Sequence, residues 1–73
     1  MRDFSLNYVC SNRIGQQPDA MLYTMTIQRT DGWEDHYLVP MQDRRDFLRW
    51  TAAQEQVAGV VVHFSPPAKV LPQ

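Results

Sequence analysis

The chain has 73 residues, 44% of them hydrophobic and 21% charged, and its seven basic and eight acidic side chains give a formal net charge of −1. This length predicts one domain with a small core, worth about 3–5 kcal/mol of net stability, and excludes multi-domain enzymes and repeat arrays. The near-neutral charge argues against a protein that coats nucleic acid, because phosphate binding requires a clustered basic surface.

The single cysteine and the N-terminal sequence bear on the compartment. Cys10 is the only cysteine, so no intrachain disulfide can form, and a reducing compartment is favoured. The segment from Met1 to Phe4 lacks the profile of a secretory signal, and no apolar run approaches the roughly 20 residues of a membrane span. We therefore expect a complete small gene product that acts in the cytoplasm and has no membrane contact.

The first predicted strand runs from Asp3 to Cys10, where apolar residues at Phe4, Leu6, Tyr8 and Cys10 alternate with other residues. Residues 11–20 are rich in turn formers and predict a surface loop. Ile14 is an isolated apolar side chain in this loop. It either packs beneath the loop or serves as an exposed anchor for a partner.

A hairpin is predicted next. Residues 21–29 alternate as a strand should, and Asp31-Gly32 is a strong signal for a two-residue turn. With that turn, Arg29 lies opposite Glu34 as an ion pair, and the third strand continues to Pro40.

One amphipathic helix follows. Asp43 is a suitable N-cap, and the helix is expected to end within residues 54–56. On a helical wheel one contiguous arc predicts the packed face, and it comprises Phe47, Leu48, Trp50, Thr51 and Ala52. After Gly59, the β-branched run Val60–Phe64 predicts a fourth strand, which Pro66 and Pro67 follow.

The element order predicts an α+β fold, a small antiparallel sheet with the order β-β-β-α-β and one amphipathic helix packed on a face. We expect residues 1–65 to form the domain, residues 66–73 to be a mobile C-terminal tail, and the molecule to be monomeric.

The residue types give little support to catalysis or cofactor binding. Cys10 is a nucleophile only if His36 or His63 lies beside it, and no local motif supports that pairing. The same three residues are too widely spaced to resemble a zinc site, and no glycine-rich phosphate loop is present. We expect a protein that is not an enzyme and has no cofactor or metal. Both histidines are expected to be strand residues that meet a hydrogen-bond partner or solvent.

The remaining chemistry is that of a surface. Six of the seven basic residues are arginines, which reflects either codon bias or selection for interface hydrogen bonds. Arg45 and Arg49 lie one helical turn apart and form either a solvated strip or part of an interface. An arginine beside an exposed aromatic residue such as Trp33 or Tyr37 has the composition of an interaction hot spot.

The chain as a whole resembles the small RNA-polymerase-binding transcription regulators of Xanthomonas bacteriophages. The resemblance covers the full length, from MRDFSLNYVC through TDGWEDHYLVP and DRRDFLRW to VVVHF. It implies a non-enzymatic protein in the cytoplasm of the bacterial host, which binds the N-terminal part of the polymerase β′ subunit near the RNA exit channel and the β flap. It also implies inhibition of σ-dependent initiation and promotion of antitermination, with help from the elongation factor NusA.

Two alternatives stay open, namely a phage inhibitor of another host complex, of the anti-CRISPR type, and a small nucleic-acid-binding module. No strong direct binding to nucleic acid is expected. The candidate partner-binding residues come from the residue patterns rather than from the resemblance, and they are Arg2, Phe4, Arg13, Ile14, Arg45 and Arg49.

Overall fold

The computed structural model describes residues 2–16 and 22–64. Within them lie a four-stranded antiparallel sheet and one α-helix between the third and fourth strands. The strands are β1 (Tyr8–Arg13), β2 (Met25–Arg29), β3 (Trp33–Tyr37) and β4 (Val57–Val62), and the helix is α1 (Arg44–Ala52). The sheet order is β1-β3-β2-β4. The predicted α+β class and element order are confirmed, whereas the predicted tail at 66–73 lies outside the described residues.

The start of the chain differs from the prediction. Residues Ser5–Asn7 form a 3₁₀ turn, and β1 begins at Tyr8 and continues to Arg13, into the predicted loop. Tyr8 lies opposite Tyr37 but Cys10 lies opposite His36, so the register shifts between them. This bulge places Tyr8 and Cys10 on opposite faces of the sheet, and their predicted common face was therefore wrong.

The hairpin between β2 and β3 has a longer turn than predicted. The observed register pairs Ile27 with Asp35 and Gln28 with Glu34, one residue away from the predicted pairing. Thr30 belongs to the turn, and Gly32 adopts φ 89°, a left-handed conformation that glycine reaches without strain. Because side chains alternate along a strand, the one-residue slip moves partners to the other face.

That slip changes the ion pairs and the core. Arg29 pairs with Asp31 and Asp35 instead of Glu34. Tyr37 faces the same side of the sheet as Met25 and contributes to the same core.

The core lies between the sheet and α1. Phe4 and Phe47 are fully buried with ring centroids 5.4 Å apart, and Tyr37 packs against Phe47 at 5.1 Å. Trp50 contacts Phe4, Tyr37 and Phe47 from the next turn of the helix. Such edge-to-face aromatic contacts stabilise beyond simple area burial.

Helix α1 is shorter than predicted. It ends at Ala52, and Asp43 makes no side-chain capping hydrogen bond because its carboxylate binds Arg2. Phe47 and Thr51 are buried as predicted, but Leu48 is 41% exposed and Ala52 is exposed. The packed arc is therefore narrower than the wheel predicted.

Strand β4 begins three residues earlier than predicted and includes Gly59. A register shift between Gln28 and Arg29 accommodates an extra residue in β4 at this point. His63 and Phe64 follow the strand rather than belonging to it.

Candidate functional site: an arginine and tryptophan patch beside a buried polar chain

The first candidate site lies at the C-terminal end of β1, beside the turn between β2 and β3. Arg13 is opposite Trp33 in the β1·β3 register, and its Cζ atom lies 5.2 Å from the centroid of the indole ring. The next residue, Ile14, donates its backbone N–H to the Gly32 carbonyl at 3.0 Å. Trp33 is 37% exposed and Ile14 is 46% exposed. We call Arg13, Ile14 and Trp33 the contact patch.

Local turn chemistry positions the contact patch. Gln16 donates its N–H to the Arg13 carbonyl at 3.0 Å, and Gly15 has φ 94°, which a side chain would strain. This turn reverses the chain directly after Arg13 and projects Ile14 outward. Ile14 is therefore exposed, as its interpretation as a partner anchor requires, and that role stays a prediction.

The contact patch carries the positive charge of Arg13. Arg13 takes part in none of the ion pairs within residues 2–16 and 22–64. Its guanidinium lies over an indole face, which holds the cation in place at the surface. Arginine and tryptophan are the residue types enriched at the energetic centres of protein interfaces.

The other predicted N-terminal contact residues, Arg2 and Phe4, make contacts within the fold. Arg2 forms a two-pronged ion pair with Asp43, with Nη1 2.7 Å from Oδ1 and Nη2 3.1 Å from Oδ2. Its guanidinium also lies 4.8 Å from the centroid of the Phe4 ring. Phe4 was wrongly predicted as a contact residue: it is fully buried because its ring packs against Phe47 and Trp50 of α1.

Arg45 and Arg49 lie on the exposed side of α1, and exposed Leu48 lies between them in sequence. The six predicted residues therefore do not form one surface. Arg2 precedes β1, whereas Arg13 ends it, and the strand separates its ends by about 17 Å.

A second group lies on the face of the sheet away from α1. Thr26 and His36 are cross-strand partners, each 2% exposed, and their side chains hydrogen-bond at 2.8 Å between Oγ1 and Nδ1. Thr26 Oγ1 also lies 2.9 Å from His63 Nε2. His36 Nε2 bonds Asn12 Oδ1, and Asn12 Nδ2 donates to Glu34 Oε1 at 3.0 Å. We call this series the polar chain.

Burial favours the neutral form of both histidines. Desolvation lowers the pKa of His36, and the neighbouring His63 lowers it further, against the opposing effects of Glu34 and Asp35. Desolvation likewise lowers the pKa of His63. Tyr23 lies over His36 with ring centroids 4.1 Å apart and is itself 4% exposed. Both histidines have hydrogen-bond partners, as expected, although His63 lies just beyond its strand.

The polar chain also occupies both ring nitrogens of His36, the histidine that lies opposite Cys10 in the sheet. Both ring nitrogens of His36 are used, by Thr26 and by Asn12, and burial raises the pKa of the Cys10 thiol. A thiol with a raised pKa is a poor nucleophile at neutral pH. In the part of the chain that the structure describes, no cluster of three or more potential metal ligands occurs.

The candidate binding residues chosen from the sequence did not include Trp33 or the polar chain. The one signal for Trp33 was its composition, as an aromatic residue that could form a hot spot beside an arginine. The polar chain had none, because its members come from all four strand regions and meet only when the observed register is known.

Comparisons of the chain with family models, with curated proteins and with solved structures find no match. Within residues 2–16 and 22–64, no helix has both the length and the apolar character needed to cross a bilayer.

Proposed function

We propose that the protein acts without catalysis, by binding a protein partner through the contact patch. The observation that carries this proposal is the exposed Arg13–Trp33 cation–π pair with Ile14 beside it. The pair offers an apolar ring and a cation already held in a fixed arrangement, so little conformational entropy is lost on binding. A partner surface with an acidic group beside an apolar pocket is complementary to this patch.

The resemblance of the whole chain points to bacterial RNA polymerase as that partner. In this proposal the contact patch faces the N-terminal part of β′, near the RNA exit channel and the β flap. A small domain at this position competes with σ-factor contacts needed for initiation. It also narrows the space in which a terminator hairpin forms, so elongating polymerase passes intrinsic terminators, assisted by NusA. The supports are the resemblance and the composition of the patch.

The test is binding to purified bacterial core RNA polymerase by biolayer interferometry. Arg13→Glu reverses the charge of the contact patch, and we expect at least a tenfold loss of affinity, as for an interface hot spot. Arg45→Glu is the matched control, since it makes the same charge change on exposed α1, and we expect unchanged affinity. Equal affinity of Arg13→Glu and the unmodified protein would exclude the contact patch, whereas no binding of the unmodified protein would exclude the polymerase.

A nucleic-acid target is a separate outcome of the same set of experiments. Titration of labelled single-stranded and double-stranded DNA and RNA at physiological salt should show little binding. Micromolar affinity with a steep salt dependence would instead assign the Arg13–Trp33 pair to phosphate and base contacts.

A further inference from the structure

The polar chain has a single direction of hydrogen donation, which follows from the chemistry of its members. The carboxylate of Glu34 only accepts, so Asn12 presents Nδ2 to it and Oδ1 to His36. An amide oxygen also only accepts, and His36 Nε2 therefore carries the hydrogen. In a neutral imidazole the other nitrogen, Nδ1, is then an acceptor.

The tautomer of the second histidine follows from its bond to Thr26. Thr26 has one hydroxyl hydrogen, and it donates this hydrogen to His36 Nδ1 at 2.8 Å. Thr26 Oγ1 is then an acceptor towards His63 Nε2 at 2.9 Å, so this nitrogen carries a hydrogen. While both histidines are neutral, every bond of the polar chain is satisfied in one arrangement only, with both rings protonated at Nε2.

The two histidines differ in what protonation does. A proton added to His63 goes to Nδ1, and Nε2–H continues to donate to Thr26. A proton added to His36 also goes to Nδ1, but that nitrogen is the acceptor of the Thr26 hydroxyl. The hydroxyl must then turn away from His36. A His63 that is already protonated carries hydrogen on both ring nitrogens and offers no acceptor either, so the buried hydroxyl hydrogen is left without one while two cationic rings face one oxygen.

His63 is also where the polar chain meets the end of β4. Its backbone N–H donates to the Thr24 carbonyl at 2.8 Å, and its carbonyl accepts from Arg44 Nη2 at 3.1 Å. The ring, the N–H and the carbonyl of His63 thus hold the end of β4 against the sheet and against the start of α1.

We propose that His63, Thr26 and His36 form an acid-sensitive latch: His63 takes the first proton and keeps the latch closed, whereas protonation of His36 reverses the Thr26 hydroxyl and releases the end of β4. Burial favours this order, because His36 is 2% exposed and His63 is only partly buried, whereas the acidic neighbours of His36 act against it. The described neighbours of His36 are the acidic Glu34 and Asp35 on β3, the uncharged Cys10 and Asn12 on β1, the Tyr23 ring and His63 itself. Those facing His63 are Glu34 from β3 and the cationic Arg44 from α1.

The latch is tested on the isolated protein by NMR with ¹⁵N-labelled histidine, without any partner, so its outcome is independent of the proposed function. At neutral pH we expect both rings as the Nε2–H tautomer. As the pH falls, His63 is expected to titrate first. Protection of the His63 amide from hydrogen exchange, corrected for the intrinsic rate, is expected to fall about tenfold only when His36 titrates, the scale of one lost hydrogen bond.

Two variants separate the latch from general acid unfolding. Thr26→Ser keeps the hydroxyl and should retain the two-step behaviour. Thr26→Val removes it and should lower His63 amide protection already at neutral pH. The matched control is Thr51→Val, which removes another 2% exposed threonine hydroxyl, one bonded to Leu48 within α1. Its His63 amide protection should not change.

Two results would overturn the latch in the unmodified protein, whatever the folding of the variants. One is an Nδ1–H tautomer of His36 at neutral pH. The other is His63 amide protection that stays constant through the titration of His36.

Discussion

The two faces of the sheet are stabilised by different chemistry. On the face covered by α1, apolar and aromatic side chains such as Phe47 and Tyr37 exclude water without needing particular partners. On the opposite face, Thr26 and His36 are equally buried but depend on each hydrogen bond of the polar chain. We therefore expect the first face to tolerate changes of pH and the second to respond to them. The contact patch lies at the turn end of β1 and β3, apart from the fully buried residues of both faces.

The largest loss of stability is expected from a change on the face of the sheet that α1 covers. Phe47→Ala removes a fully buried ring that contacts Phe4, Tyr37 and Trp50. We expect a loss of about 3–5 kcal/mol in the free energy of unfolding, which matches the whole stability expected of so small a domain. Urea denaturation followed by circular dichroism measures it. If the variant unfolds cooperatively and its free energy of unfolding falls by less than about 1 kcal/mol, the aromatic core lies elsewhere.

A smaller loss of stability is expected when the Thr26 hydroxyl is removed from the face of the sheet away from α1. Thr26→Val keeps the shape of the side chain but leaves His63 Nε2–H without its acceptor. We expect a cost of about 1–3 kcal/mol, the penalty for an unsatisfied buried polar group. Urea denaturation of this variant beside Thr26→Ser provides the comparison. Equal stability of the two variants would mean that the polar chain contributes shape rather than hydrogen bonds.

The faces should also differ in their response to pH. Burial lowers the pKa of His36 and of His63 in the folded state, so the unfolded chain binds protons at a higher pH than the folded chain does. Stability due to the neutral histidines is therefore full above the ordinary histidine pKa of about 6.5, and it falls as the pH drops from there through the lowered folded-state values.

Thermal unfolding between pH 7.5 and 5 measures this dependence, and His36→Asn with His63→Asn should reduce its slope. An unchanged slope in that double variant would assign the acid sensitivity to the carboxylates instead.

The smallest effect on stability is expected on exposed α1. Arg45→Glu combined with Arg49→Glu changes two exposed side chains that make no ion pair among the described residues. We expect each change to stay within about 0.5 kcal/mol, as is usual for surface positions. A large loss in urea denaturation would show that this strip supports the fold.

Local patterns in the sequence were sufficient for the elements and their order, since alternation, turn residues and helical periodicity act over a few positions. They placed Phe47 in the core and Arg45 on the surface. They could not place Phe4, because its burial depends on contacts with Phe47 and Trp50, which are distant in sequence.

Strand register was the other feature that local sequence patterns could not predict. Thr30 has no strong turn preference, so its place in the β2–β3 turn was not evident, and the one-residue slip reassigned the partners of Arg29. The contact patch was half predicted: Arg13 and Ile14 were candidates, but their neighbour Trp33 was joined to them only by the β1·β3 register.

The central claim is that the contact patch faces the partner, and site-specific photo-crosslinking tests it directly. A benzophenone amino acid replaces Ile14 in one variant and Leu48 in another, the second being a comparably exposed apolar residue on α1. Each variant is irradiated with purified bacterial RNA polymerase, and the cross-linked peptides are identified by mass spectrometry. We predict cross-links from position 14 to the N-terminal part of β′ and few from position 48. Cross-links from position 48 with none from position 14 would contradict the claim.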